Sequence, residues 1–244
     1  MTQPASTLER TATRMPADPL LSVVMPVFNE RNTIEEIIRR VLAIRMRIQL
    51  IVVDDVSTDG TTEILERLQK EHGFLLLRQP RNGGKGAALR RGFQAVTGDL
   101  VLIQDADLEY SPEEYPLLTE LIVAGRADVV YGSRFLRPTS KVAMKSRMAN
   151  RLLTSLTNIL FGGRLTDMET AYKVMRKEAL QGLRLRCVGF DIEPELTARL
   201  LRAGWRIVEV PISYNPRTAD EGKKMRWIDG VDAIYTLLKC RFTP

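Results

Sequence analysis

One histidine, two cysteines and no apolar run near the ~20 residues of a membrane-spanning helix limit what this 244-residue chain can be. With His72 alone in a polar connector, chemistry built on a histidine triad or a histidine-ligated metal is disfavoured. Cys187 and Cys240 lie far apart and outside any metal-ligand spacing, which points to a reducing cytoplasm. No Gly-x-Gly-x-x-Gly follows the first predicted strand, and Gly84-Lys85 lacks both the upstream Gly and the following Ser or Thr of a Walker loop. Residues 1–19, with their Thr, Ala, Pro and Arg, carry no apolar stretch of a secretory signal. They read as a tail ahead of one domain spanning 20–244. The net charge of +6 favours phosphorylated ligands or an anionic membrane surface. No clustered aromatic and basic platform supports nucleic-acid binding.

What is present is a rhythm. Strands are expected at 21–28, 49–53, 74–77, 100–104 and 128–131, with helices at 31–45, after Gly60, at 87–96 and from a capping box at Ser111-Pro112-Glu113-Glu114 to about Ala124. This alternation predicts an α/β fold with a doubly wound, mainly parallel sheet, and ligands beyond the carboxyl ends of its strands. Those ends read Phe28-Asn29-Glu30, Asp54-Asp55, Arg81-Asn82-Gly83-Gly84-Lys85 and Asp105-Ala106-Asp107. In extended chain, residues two apart share a side, so Asp105, Asp107 and Glu109 are placed to converge. Two carboxylates about 4 Å apart repel by roughly 4 kcal/mol at an effective dielectric of about 20. Such a pair shares a proton or is held by a cation, and hard oxygens favour Mg2+ or Mn2+. The Asn82-Gly83-Gly84-Lys85-Gly86 loop reads either as a source of backbone amides for an anion at a helix start or as a plain Gly-rich turn.

Beyond Gly132 the pattern loosens. A helix over 147–160 is expected to bury Ala149, Leu152, Leu153, Leu156 and Leu160. A short strand follows at 172–175, then a helix from Phe190-Asp191-Ile192-Glu193, a strand at 205–212, a polar loop at 215–224 and a last helix with Trp227, Val231, Ile234 and Leu238 on one face. The rhythm therefore divides the domain into two halves, 20–132 and 133–244.

Five pieces in order, Pro26-Val27-Phe28-Asn29-Glu30, Val53-Asp54-Asp55-x-Ser57-Thr58-Asp59-Gly60-Thr61, Asn82-Gly83-Gly84-Lys85-Gly86, Asp105-Ala106-Asp107 and Gly132-Ser133-Arg134, resemble the family-2 glycosyltransferases of the GT-A fold. Thr166-Asp167 to Tyr172, Phe190-Asp191-Ile192-Glu193-Pro194-Glu195 and Glu209-Val210-Pro211-Ile212-Ser213-Tyr214 look like the dolichol- or polyprenol-phosphate mannose synthase branch, as a catalytic domain without membrane helices. The resemblance implies an inverting, metal-assisted transfer of a hexose, mannose or glucose, from a nucleoside-diphosphate sugar to a polyprenyl phosphate. Pro26, Phe28, Glu30, Val53, Asp55 and Ala106 would then hold the donor, and Asp105 and Asp107 with Glu109 would place Mg2+ or Mn2+ on its diphosphate. Arg134, Arg217 and Lys223 would meet phosphates, with Arg147 a further candidate. Such an enzyme would work peripherally at the inner face of a membrane, alone, as a homo-oligomer or with a membrane-protein partner. Val56, Ala171 and Glu109 depart from the residues usual at their positions. Two rival readings share the fold: transfer to a sugar or lipid hydroxyl, with Asp167, Glu169, Asp191 or Glu193 as base, and a non-catalytic nucleotide-sugar-binding regulator.

Overall fold

The protein is described by a computed structural model over residues 15–137, 142–217 and 227–243. Its elements run β1 (Leu21–Val27), α1 (Ile34–Ala43), β2 (Ile48–Asp54), α2 (Thr61–His72), β3 (Leu75–Arg78), α3 (Lys85–Gln94) and β4 (Leu100–Ile103). A 3-10 turn (Pro112–Glu114) leads into α4 (Tyr115–Val123), followed by β5 (Val129–Ser133), α5 (Met144–Phe161), β6 (Lys173–Arg176), α6 (Lys177–Gln181), α7 (Ile192–Arg202), β7 (Ile207–Pro211) and α8 (Trp227–Phe242).

The strands form one seven-stranded sheet in the order β3-β2-β1-β4-β6-β5-β7. All neighbours are parallel except β6, which lies antiparallel between β4 and β5. This is the expected GT-A-like arrangement, with one consequence that spacing alone does not show. A strand from beyond residue 132 is stitched into the middle of the sheet, so residues 20–132 and 133–244 share a single hydrogen-bonded layer.

Alternation along the strands sorts their side chains onto two cores. From β1, Leu21, Val23, Met25 and Val27 face α1, α2 and α4, whereas Val24 faces α3 and the helices beyond residue 132. Ile34, Ile37, Ile38 and Val41 of α1 are fully buried, and each such side chain contributes roughly 1.5–3 kcal/mol.

Three local expectations are corrected. The Ser111 capping box does not form, because Ser111 makes no side-chain cap and Glu114 instead accepts Ser213 N–H at 2.9 Å and Arg137 at 2.9 Å. On α5, Ala149 and Leu152 are exposed, and the buried face is Asn150, Leu153, Thr154 and Thr157. On α8, Val231 and Leu238 are exposed while Ala233, Thr236, Leu237 and Cys240 are buried.

Helix α3 can lie on β1 and β2 because position 92 has no side chain. A Cβ there would sit 2.4 Å from Val24 Cγ1 and 3.2 Å from Val53 Cγ2. Gly92→Ala is thus expected to destabilise by about 1–3 kcal/mol from overpacking, despite the better helix propensity of alanine. A urea midpoint at or above wild type would contradict this packing.

Candidate functional site

The carboxyl ends of β1, β2 and β4, with the loop before α3, form one polar rim. Asp55, expected to hold the donor, has both carboxylate oxygens engaged by the glycine loop: Gly83 N–H donates to Oδ1 at 2.8 Å and Gly84 N–H to Oδ2 at 2.7 Å. The anion that those amides receive is therefore the protein's own, which corrects the reading of the loop as a free anion cradle. Burial raises the Asp55 carboxyl above its ordinary value although both amides favour its charged form. Pro26 and Phe28 stay partly open on the rim, whereas Val53 is fully buried and packs under α3. Val53 thus offers the rim only its backbone. Ala106 is buried, with its carbonyl accepting Thr33 Oγ1–H at 2.8 Å. Val56 and Leu108 both adopt left-handed backbone, at φ 65° and 61°. The usual glycine at position 56 would take that conformation without cost; a β-branched residue does not.

Asp105, Asp107 and Glu109 do come together, but not as three equivalent oxygens. Lys85 Nζ lies 2.8 Å from Asp105 Oδ1 and 3.0 Å from Glu193 Oε1 of α7, and Lys173 of β6 pairs with the other Glu193 oxygen. Burial would lower the Lys85 pKa, yet the two carboxylates hold it above the ordinary value. Glu109 turns away: it accepts Arg217 N–H at 2.8 Å and the Tyr214 hydroxyl at 2.8 Å. Asp107 accepts Glu109 N–H at 3.1 Å and keeps its carboxyl next to both neighbours. Burial, then the charges of Asp105 and Glu109, push Asp107 up to about 7, against a smaller pull from Arg217.

Among the described residues no three carboxylate, imidazole or thiol side chains form a ready metal cluster, and Glu109 engages Tyr214 and Arg217. Asp105 and Asp107 still fit a hard divalent cation. They are crowded oxygen donors whose repulsion a cation would relieve, and a site with few protein ligands takes the rest from substrate phosphates.

The arginines expected to grip phosphates are paired within the protein. Arg134 is bidentate on Asp167, with Nε to Oδ2 at 2.8 Å and Nη2 to Oδ1 at 2.7 Å, and its Cζ sits 5.2 Å from the Tyr214 ring centre. Arg217 is bidentate on Glu30, at 3.2 and 2.6 Å, and donates to the Asp107 carbonyl at 2.9 Å. Each fork is held because a carboxylate this buried needs its counter-charge. Glu30, assigned to the donor, therefore also orients Arg217. Arg147 lies over the Phe135 ring at 5.4 Å. Lys223 falls outside the described residues.

Four residues of this network were not foreseen in these positions: Lys85, Glu193, Lys173 and Thr33. Their signal was weak. Lys85 in its glycine loop and Glu193 at a helix start were each singled out, but nothing in their spacing shows that the fold pairs them. On the acceptor side the polar face of α5 organises the loop that precedes β6. Thr154 Oγ1 accepts Met168 N–H at 3.0 Å, Asn150 Oδ1 accepts Glu169 N–H at 3.3 Å, and Asn158 bonds both the N–H and the carbonyl of Leu165 at 2.9 Å. That loop carries Asp167, the partner of Arg134.

Comparison with known proteins agrees with this geometry. The model described as "Glycosyl transferase family 2" matches residues 22–184. The chain is 32% identical over 208 residues to the low-salt glycan biosynthesis hexosyltransferase Agl6 of Haloferax volcanii, covering 83% of this chain and 49% of that protein. It is 31% identical over 231 residues to the dolichol-phosphate mannosyltransferase of Pyrococcus furiosus, covering 90% and 64%. The chain thus spans about half to two thirds of the length of these relatives. Crystal structures of glucosyl-3-phosphoglycerate synthase from Mycobacterium tuberculosis superpose with TM-scores of 0.68 and 0.69 at 27% identity, covering 93% of this chain and 81% and 80% of theirs. One holds Mg2+ and UDP, the other Mn2+, UDP and phosphoglyceric acid.

The raised Asp107 carboxyl has a measurable sign. A native group that binds its proton more tightly than the unfolded chain costs stability as pH rises from about 4 towards 7. Asp107→Asn should therefore raise the urea midpoint more at pH 8 than at pH 5. An equal effect at the two pH values would contradict the crowding described here.

Proposed function

The chain belongs to glycosyl transferase family 2, and on that premise we propose that it moves a hexose from a nucleoside-diphosphate sugar to a polyprenyl phosphate, with inversion, while resting on the cytoplasmic face of a membrane. Asp105 and Asp107 would hold Mg2+ or Mn2+. Such a cation, once bound, neutralises charge growing on the departing diphosphate. Pro26, Phe28 and the β2 end contact the nucleoside, while Glu30 keeps Arg217 turned over the Asp107 carbonyl, where its charge faces the diphosphate. Asp167 fixes the plane of Arg134, which supplies positive charge on the acceptor side. A phosphate monoester has a second pKa of about 6 and is already anionic near neutrality, so its oxygen attacks the sugar without a general base.

The observation that carries the lipid acceptor is the two-sided character of α5. Its inner face is polar and reaches the loop of Asp167 and Glu169. Its outer face bares Met144, Met148, Leu152 and Ile159, which are 64–80% exposed. Beside it α8 bares Val231, Tyr235, Leu238 and Phe242, at 41–79%. No helix among the described residues is long and apolar enough to cross a membrane. Two neighbouring apolar stripes flanked by Lys145, Arg147, Arg151, Lys239 and Arg241 suit an interface with anionic lipid.

A second reading, transfer to a hydroxyl, is favoured by Glu169. Of the four carboxylates considered for a base, Asp167 and Glu193 are ion-paired and Asp191 accepts Gly189 N–H at 3.1 Å. Glu169 has a buried oxygen, Oε1, without a hydrogen-bond partner.

The proposal is tested by assaying GDP- and UDP-hexoses with farnesyl phosphate or farnesol and Mg2+ or Mn2+. Turnover onto farnesyl phosphate is expected, abolished by chelator and reduced by at least about a hundredfold in Asp107→Asn. Activity that needs farnesol, or that ignores both chelator and Asp107→Asn, would overturn it.

The apolar face makes a separate prediction. Leu152→Glu with Tyr235→Glu, both on exposed positions, should lower cosedimentation with phosphatidylglycerol vesicles while leaving the unfolding free energy within about 1 kcal/mol of wild type. Unchanged vesicle binding would remove the interfacial role of these helices.

A further inference from the structure

Among the described residues, the buried side-chain atoms without a hydrogen-bond partner include Asn150 Nδ2 and Glu169 Oε1. They belong to residues already joined, since Asn150 Oδ1 accepts the Glu169 N–H, and this bond fixes which end of the amide is the donor. Asn150 is only 5% exposed, whereas Glu169 keeps part of its surface open. A sealed, unpaired amide and carboxyl each cost roughly 1–3 kcal/mol, so a pair of them beside an opening is a place for a ligand's polar atoms.

The surroundings say which atoms. The charges that act on Glu169 come from Lys173 of β6, Glu193 of α7, and Arg134 and Asp167. Burial outweighs the two cations and lifts the carboxyl to about 7, leaving it about half protonated at neutrality and largely protonated below it. A neutral carboxyl is a donor, as is the amide beside it. Two donors near a fixed guanidinium match an anion better than a hydroxyl, which would need an acceptor for its proton.

Resting on the lipid-phosphate reading above, we propose that Asn150 and protonated Glu169 donate hydrogen bonds to the phosphoryl oxygens of the acceptor and so position its attacking oxygen. No proton leaves Glu169 in the transfer. A bound dianion favours the protonated carboxyl further, so acceptor binding takes up a proton once the pH exceeds that of the free carboxyl.

The test is calorimetric titration with farnesyl phosphate and, in parallel, glycerol 3-phosphate, with Mn2+ and UDP binding as the control for a correctly folded site. Wild-type affinity for the phosphate should fall between pH 7 and pH 9 by up to about tenfold per unit, the limit for one linked proton. Glu169→Gln, a permanent donor, should keep the pH 7 affinity and lose the pH dependence. Asn150→Leu should weaken the phosphate by roughly tenfold or more, with UDP affinity unchanged. Binding of glycerol 3-phosphate with these dependences but no binding of farnesyl phosphate would support the grip and remove the lipid acceptor. Identical pH profiles for wild type and Glu169→Gln, or no binding of either phosphate, would overturn it. So would a Glu169→Gln variant with normal phosphate affinity and no turnover, because the carboxyl would then be a base.

Discussion

Lys85 is the constraint on which the site depends. One ammonium, only 12% exposed, stands between the aspartate at the end of β4 and the glutamate that opens α7, while Lys173 closes the chain from β6. Its position follows from the glycines around it. Any Cβ at Gly84 or Gly86 would fall 2.7 Å from the backbone of Val188 or Cys187, so the loop presses directly on the segment before α7. The contact that brings the backbones together also delivers the lysine. Removing it would leave the half-buried Asp105 carboxylate without its cation and Glu193 with Lys173 alone, which costs more than the pair itself contributes.

The same logic runs through the arginines. Arg134 with Asp167 and Arg217 with Glu30 tie, respectively, the β5 exit to the loop before β6 and the β7 exit to the β1 end. These pairs are charge held in place rather than charge awaiting a partner. A fixed guanidinium keeps its plane and its field whether or not a phosphate is near, and needs no reorganisation when negative charge develops.

The parallel half of the fold was legible because each of its strands is a short apolar run followed by polar residues, and because a period of two or of 3.6 is imposed by burial itself. Asp105 and Asp107 were legible for the same reason, as charge at the end of a buried strand. The antiparallel insertion of β6 was not, since four residues carry no record of which neighbours they pair with. Nor was the pairing of Arg134 and Arg217: an arginine reads the same whether it faces a phosphate or a carboxylate 33 or 187 residues away. On α5 the periodicity was right only in part. Leu153, Leu156 and Leu160 do turn inward, but Asn150 and Thr154 join them because they satisfy the backbone of a loop, and the leucine at 152 is outward.

That arrangement gives α5 a thickness that matters. A helix with its side chains measures about 10–12 Å across, and the amide of Asn150 and the side chains of Met148 and Leu152 lie on opposite sides of it. If the outer side rests on a lipid surface, the reaction centre stands one helix diameter above the leaflet. A headgroup must then be lifted clear of its neighbours to be used, drawing the first part of its tail into the protein. Lipids whose phosphate is anchored by a short, stiff or doubly acylated stem would stay out of reach, so the helix would act as a height gauge that selects by extensibility before any side chain reads the headgroup.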